Sequence, residues 1–99
     1  MLRRRVRYRI DGDSMLPTLS PGDFVLVDPH GFDGRPPQPS DVLVARHPYQ
    51  PTVIVKRVAE VVDGGVTLVG DNPEASSDSR SFGTITFDAI IGRVTSRIS

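Results

Sequence analysis

Arginine alternates with Val6, Tyr8 and Ile10 along RRRVRYRI (Arg3 to Ile10), the period-two pattern of a β-strand with one face in water. Five further runs follow: DFVLVD (Asp23 to Asp28), DVLVAR (Asp41 to Arg46), TVIVKRVAEVV (Thr52 to Val62), GVTLVG (Gly65 to Gly70) and AIIGRVTSRI (Ala89 to Ile98). All are rich in β-branched residues and interrupted by Gly, Pro or Asp, so each reads as a strand. Asp63-Gly64-Gly65 supplies the positive-φ positions of a hairpin turn, and Gly92 marks a bulge or a close approach of another backbone. No window carries a 3.6-residue apolar stripe over ten or more residues, which limits helix to a turn or two. The pattern predicts an all-β fold: one small domain of antiparallel strands with little or no helix, spanning residues 1–99.

Two irregular stretches interrupt the strands, Pro29 to Ser40 (PHGFDGRPPQPS) and Asp71 to Gly83 (DNPEASSDSRSFG). Loops this long in a compact domain are functional or disordered. The first holds four prolines and two glycines in twelve residues, a composition that cannot build a core segment, and it is expected to be the floppier of the two. The second crowds Ser, Asp and Arg between strands, where side chains can bond backbone and one another and so order the loop.

Composition narrows the chemistry. A chain of 99 residues forms one core and buries roughly 60 to 70% of the surface its unfolded state exposes. Twelve basic residues balance twelve acidic ones, so there is no global attraction to nucleic acid, although five of the eleven arginines fall within residues 3–9. Without cysteine there is no disulfide framework, thiolate metal site or thiol nucleophile. No apolar run nears the roughly 18 to 20 residues of a membrane span, and the first residues lack the apolar stretch of a secretory signal. These features predict a cytoplasmic protein with no transmembrane anchor.

The single lysine, Lys56, lies inside an apolar strand of a chain that otherwise uses arginine for every basic residue. Arginine cannot release its proton in a protein, whereas a desolvated lysine can, so position 56 is a candidate for a removable proton. Counting by twos puts Lys56 on one face with Ile54 and Val58, and Val53, Val55, Arg57 and Ala59 on the other. Burial among such neighbours disfavours the ammonium. At the ordinary pKa of about 10.4 only about 0.04% of the amine is free at pH 7, whereas a pKa of about 8 would free roughly 10%, enough for a general base. An edge charge or a snorkelling side chain is the competing reading.

A candidate partner is Ser14 in DGDSMLPTLSPGD (Asp11 to Asp23), because a hydroxyl becomes an effective nucleophile when an adjacent base takes its proton. Gly12 allows close backbone approach to a bound peptide, and Pro17 and Pro21 stiffen the segment that follows Ser14. A turn or capping serine is the structural alternative.

Three motifs together, GDSMLPTLSPGD, VIVKRV and GDNPEASSDSRSFG, resemble in order and spacing the boxes of the type I signal peptidase family of Ser/Lys proteases, over about residues 10–95. The resemblance implies a signal-peptidase-like catalytic core, with Ser14 as acylating serine, Lys56 as general base and Ser76 as the hydroxyl that orients the amine. Asp78 and Arg80 match a carboxylate and guanidinium that brace the loop, while Ser77 and Ser79 are weaker candidates. Gly70, Asp71 and Asn72 are expected to shape the turn that delivers Ser76. The substrate it implies is a precursor protein with an N-terminal leader peptide, cleaved without metal or organic cofactor.

The chain departs from that family where many members carry a hydroxyl that helps hold the oxyanion, two residues before the nucleophile. Here that position is Gly12, which leaves the Ser14 N–H as chief candidate donor, and one lost donor can reduce the rate by about 10² to 10³. A short chain of this kind is most similar to the proteases that remove the leader of nickel-type superoxide dismutase. Self-cleaving SOS repressors also pair Ser with Lys but lack the third box. His30 and His47 stand far apart beside prolines and read as solvated loop residues, not metal ligands. Asp11 and Asp13 fail the calcium-loop pattern, with Leu16 where glycine is required and Gly22 where glutamate is. The arginine-rich first strand supports a non-enzymatic alternative, a β-barrel module for nucleic acid or an anionic membrane, but Tyr8 is the only stacking aromatic nearby, so a nucleic-acid partner is not expected. A solvated face, or a surface for an acidic stretch of substrate, are its other readings.

Overall fold

The computed structural model describes residues 4–75 and 82–98. Among these residues seven strands form one antiparallel sheet: β1 (Val6–Arg9), β2 (Phe24–Asp28), β3 (Val42–Arg46), β4 (Val53–Val62), β5 (Gly65–Val69), β6 (Ile85–Thr86) and β7 (Ile90–Ile98). Their order across the sheet is β1-β2-β7-β3-β4-β5-β6, and a 3₁₀ turn spans Phe87–Ala89. Five of the six predicted runs coincide with strands to within one residue at each end, and the first, Arg3 to Ile10, contains the shorter β1. The seventh, β6, has only two residues, too few for any periodicity to show.

At the centre β3 is buried on both faces. Leu43 and Ala45 pack with Val58, Val66, Leu68, Phe82 and Ile85, while Val44 packs with Ile10, Met15, Leu19, Val25 and Val27. This is why its sequence, VLVA, is a continuous apolar run without alternation.

Glycine permits two tight approaches. A Cβ at Gly65 would stand 2.1 Å from the Ile85 carbonyl oxygen, which is where β6 crosses β5. A Cβ at Gly92 would stand 2.6 Å from the Asp28 carbonyl oxygen. Gly92 also adjoins a bulge, since Val44 faces Gly92 while Ala45 faces Ile90, so both readings of that glycine hold. The Asp63-Gly64 hairpin joins Val62 to Gly65, with Gly64 at φ +79°.

The stretch from Pro29 to Ser40 differs from expectation. Successive turns, Gly31 N–H to Asp28 O, Asp33 N–H to His30 O and Asp41 N–H to Gln38 O, fold it back on the sheet. Phe32 packs against the first apolar cluster, Pro37 is buried, and the Arg35 guanidinium lies 5.7 Å from the Phe32 ring centroid. Composition misled here because prolines that cannot sit inside a sheet can still pre-form turns against it. The Asp28 carboxylate, itself buried, accepts the His30 N–H at 2.9 Å and faces Arg5 at 3.6 Å.

Candidate active site

The sheet curls so that β1 and the first half of β4 form walls of one cleft, although β2, β7 and β3 separate them in the hydrogen-bonding order. The cleft holds about 470 Å³ and is lined by residues of β1 and the turn after it, including Tyr8, Ile10, Ser14 and Met15, and by Thr52 to Lys56. Both strands border it with edges that their neighbours leave open. Among the described residues β1 pairs with β2 alone, and β5 pairs with β4 from Arg57 onward.

Ser14 is carried into this cleft by the chain that leaves β1. Gly12 turns at φ +79°, the Leu16 N–H closes on Asp13 O, and Met15 and Leu19 plug into the second apolar cluster. That explains the apolar pair after the serine: Met15, 1% exposed, anchors the turn and leaves the half-buried Ser14 at the cleft. Lys56 comes from the opposite wall. It is 5% exposed and pairs across the sheet with Leu43, on the face of β4 that also buries Val58, as the alternation predicts. A lysine this buried is uncommon, since its ammonium gives up water on burial.

Arg57, pointing to the opposite face of β4 from Lys56, forms a fork onto Asp71: Nε donates to Oδ1 and Nη2 to Oδ2, each at 2.8 Å. Thr18 Oγ1 donates to the same carboxylate at 2.6 Å, and Arg57 Nη1 donates to Ser40 O at 2.8 Å. The Arg57 bonds, reinforced by the Thr18 hydroxyl, hold the Asp71 carboxyl below the usual carboxylate range against the opposing effect of burial. The same bonds raise the Arg57 pKa further. Asn72 grips the serine turn itself, donating its main-chain N–H to Ser14 O at 2.9 Å and its side-chain amide to Asp13 O at 3.1 Å.

Asp71 and Asn72 therefore tie the Ser14 turn to β4, and the turn toward Ser76 that they are also expected to shape runs beyond the described residues. Ser76, Asp78 and Arg80, with Ser77 and Ser79, lie outside the described residues. Arg57 and Thr18 were not anticipated. The signal available for Arg57 was its place beside Lys56 on the opposite face of the same strand, which suits a side chain that braces the wall from behind.

Among the described residues no three His, Asp or Glu side chains gather as a metal site. His30 is exposed and pairs with Asp33 at 3.1 Å, in keeping with a loop residue. His47 departs from that reading: its ring packs edge-on against Phe82 at 5.2 Å, and its Nδ1 accepts the Tyr49 and Gln50 N–H groups. A second pocket of about 350 Å³, between the Pro29–Pro37 turns and Ile90 to Gly92, has apolar walls with Asp33 as its one ionisable group.

A family model described as Peptidase S24-like matches residues 4–95. The chain belongs to the peptidase S24-like family. Within it, this peptidase-family member is 31% identical to mitochondrial inner membrane protease subunit 1 of Xenopus tropicalis over 88% of its own length and 65% of that protein. It is 33% identical to the Schizosaccharomyces pombe protein of the same name over 88% and 69%. It is 36% identical to signal peptidase I of Pseudomonas fluorescens over 76% of its own chain and 28% of that one. These relatives group it with type I signal-peptidase-like proteins, of which the chain spans from 28% to 69% of the length. Among the described residues no helix of this S24-like chain is long and apolar enough to cross a membrane.

Proposed function

We propose that this chain is a serine endopeptidase that removes a leader or signal peptide from a precursor protein. The observation that supports it is a single one: Ser14 and the buried Lys56 line the same cleft between two open strand edges. A substrate segment lies extended in the cleft and adds main-chain hydrogen bonds to those edges. Neutral Lys56 takes the Ser14 proton as Oγ attacks the scissile carbonyl, and the oxyanion that forms is held by the Ser14 N–H. The Lys56 ammonium then protonates the leaving amine as the C–N bond breaks, giving an acyl-enzyme. Water, deprotonated by the neutral amine, releases the acid and returns the proton to Ser14. Ser76 orients the amine, Asp78 and Arg80 brace its loop, and Asp71 and Asn72 hold the Ser14 turn.

Intact-mass analysis of a leader-bearing precursor incubated with the protein tests this reading, and the nickel-type superoxide dismutase precursor is the first substrate to try. Loss of a single N-terminal peptide is expected with the wild type and not with Ser14→Ala. Lys56→Arg keeps the charge but not the removable proton and should be equally inactive. An active Lys56→Arg protein would falsify the general-base role.

A further inference from the structure

Just past β1 the Ile10 N–H donates to Asp23 O at 2.8 Å and Ile10 O accepts from the Gly22 N–H at 2.9 Å, so Ile10 and, two residues back, Tyr8 direct their main chains toward β2. The alternation of an antiparallel strand then turns the main chains of Arg7 and Arg9 to the open edge, where an extended peptide would pair. Side chains alternate as well. Arg5, Arg7 and Arg9 share the solvent face, and Tyr8 and Ile10 face inward.

The three arginines are not equivalent. Arg5 faces the buried Asp28 carboxylate at 3.6 Å, and the Arg7 guanidinium lies 4.6 Å from the Phe24 ring centroid. Arg9 is exposed, has neither a carboxylate nor a ring partner among the described residues, and lines the cleft together with Ser14 and Lys56. Net charge is zero, so no field of the whole chain would draw in an acidic peptide, and any preference for one must be local.

From this geometry we infer that Arg9 is a specificity residue that selects substrates carrying Asp or Glu in the segment lying along β1. The inference rests on reading the cleft as a peptide-hydrolysing site. In a paired strand, residues directly opposite bring their Cβ atoms to about 4.5–5.5 Å on one face, within reach of an opposite-charge pair. Because successive side chains alternate, only every second substrate residue shares the Arg9 face. The next one turns toward Tyr8 and Ile10. The selected pattern is thus acidic at one position and apolar at its neighbours.

Two fluorescein-labelled decapeptides, alternating Asp with Val or Asn with Val, test this by anisotropy on Ser14→Ala protein, where binding is read without hydrolysis. The Asp peptide should bind about three- to ten-fold more tightly, and that ratio should fall toward one as salt is raised. Arg9→Gln should erase the ratio, and Arg9→Glu should reverse it against a Lys-and-Val peptide. Arg7→Gln, which removes the same charge about 7 Å away, should largely preserve it.

An unchanged ratio in Arg9→Gln overturns the inference, as does an equal loss in Arg7→Gln. It is also overturned if Arg9→Gln leaves the peptide ratio intact but releases the protein from vesicles of phosphatidylcholine with phosphatidylglycerol. Wild-type cleavage of a mixed peptide library separates the two readings. Hydrolysis without an Arg9-dependent acidic preference removes this inference alone, whereas an Arg9-dependent binding ratio without hydrolysis removes the proposed reaction alone.

Discussion

Replacing Asp71 by Asn tests whether the Ser14 turn is held from behind β4. The substitution keeps shape and one acceptor but removes the charge that receives two Arg57 bonds at 2.8 Å and one from Thr18 at 2.6 Å. A hydrogen bond to a charged group contributes about 1.5–3 kcal/mol when well buried. Here the side chains are 30% and 15% exposed, so solvent screens part of it, and the Asn side chain retains part of the bonding. The expected loss is about 2 kcal/mol, which in a domain of this size lowers the midpoint of thermal unfolding by roughly 8–16 °C. Its pH dependence follows from the depressed Asp71 pKa. A carboxylate whose folded pKa lies below its unfolded value stabilises the fold fully above the unfolded value of about 4, and stops doing so as pH falls through the lower folded one. The Asn side chain does not titrate. The gap between wild type and Asp71→Asn should therefore be constant from about pH 7 to 5 and narrow below about pH 4. Urea unfolding of both proteins across that range measures it. A gap of a few tenths of a kcal/mol at pH 7, or one that stays undiminished in acid, refutes the fork as a support.

Asn72→Ala removes the bond to Asp13 O but leaves the main-chain bond to Ser14 O, so stability should fall by about 1 kcal/mol while precursor cleavage falls further, as read by urea melts beside intact-mass rates. Gly65→Ala forces a methyl to within 2.1 Å of the Ile85 carbonyl and should destabilise by about 3 kcal/mol, the upper end for overpacking, seen as a lowered urea midpoint. Gly12→Ala meets no atom within 4 Å but keeps a left-handed φ of +79°, so its penalty should be only about 1–2 kcal/mol by the same measurement. With neutral Lys56 as base, cleavage should rise with pH between about 6 and 9, and a flat profile would count against that assignment.

Much of this molecule was legible because two signals agreed. Period-two alternation puts Lys56 on the face of Ile54 and Val58, and that face is the buried one. Punctuation by Gly and Pro placed the strand ends, and Gly92 announced both a bulge and a close approach. What stayed hidden was the bracing of the Ser14 turn by side chains distant in sequence. Thr18 and Asp71 are separated by 53 positions and Arg57 and Asp71 by 14, and no local rule couples them. The order of the Pro29 to Ser40 stretch is hidden for the same reason. Its composition lacks the material for a strand, but a loop needs only turns of its own and one anchor, and Phe32 supplies the anchor from outside the periodic pattern.

The same contrast explains why Arg57 rather than Lys56 holds the framework. In the proposed mechanism Lys56 gives up a proton, and an ion pair with Asp71 would stabilise its ammonium and keep that proton in place. A side chain meant to fix geometry gains from being permanently charged and bidentate. Adjacent positions on one strand point to opposite faces, so β4 can supply both without bringing the Asp71 carboxylate onto the Lys56 face. Exchanging the two residues, Lys56→Arg with Arg57→Lys, would keep composition and net charge yet should lose cleavage and most of the fork together. A double variant that still cleaves its precursor would contradict this division between the two faces.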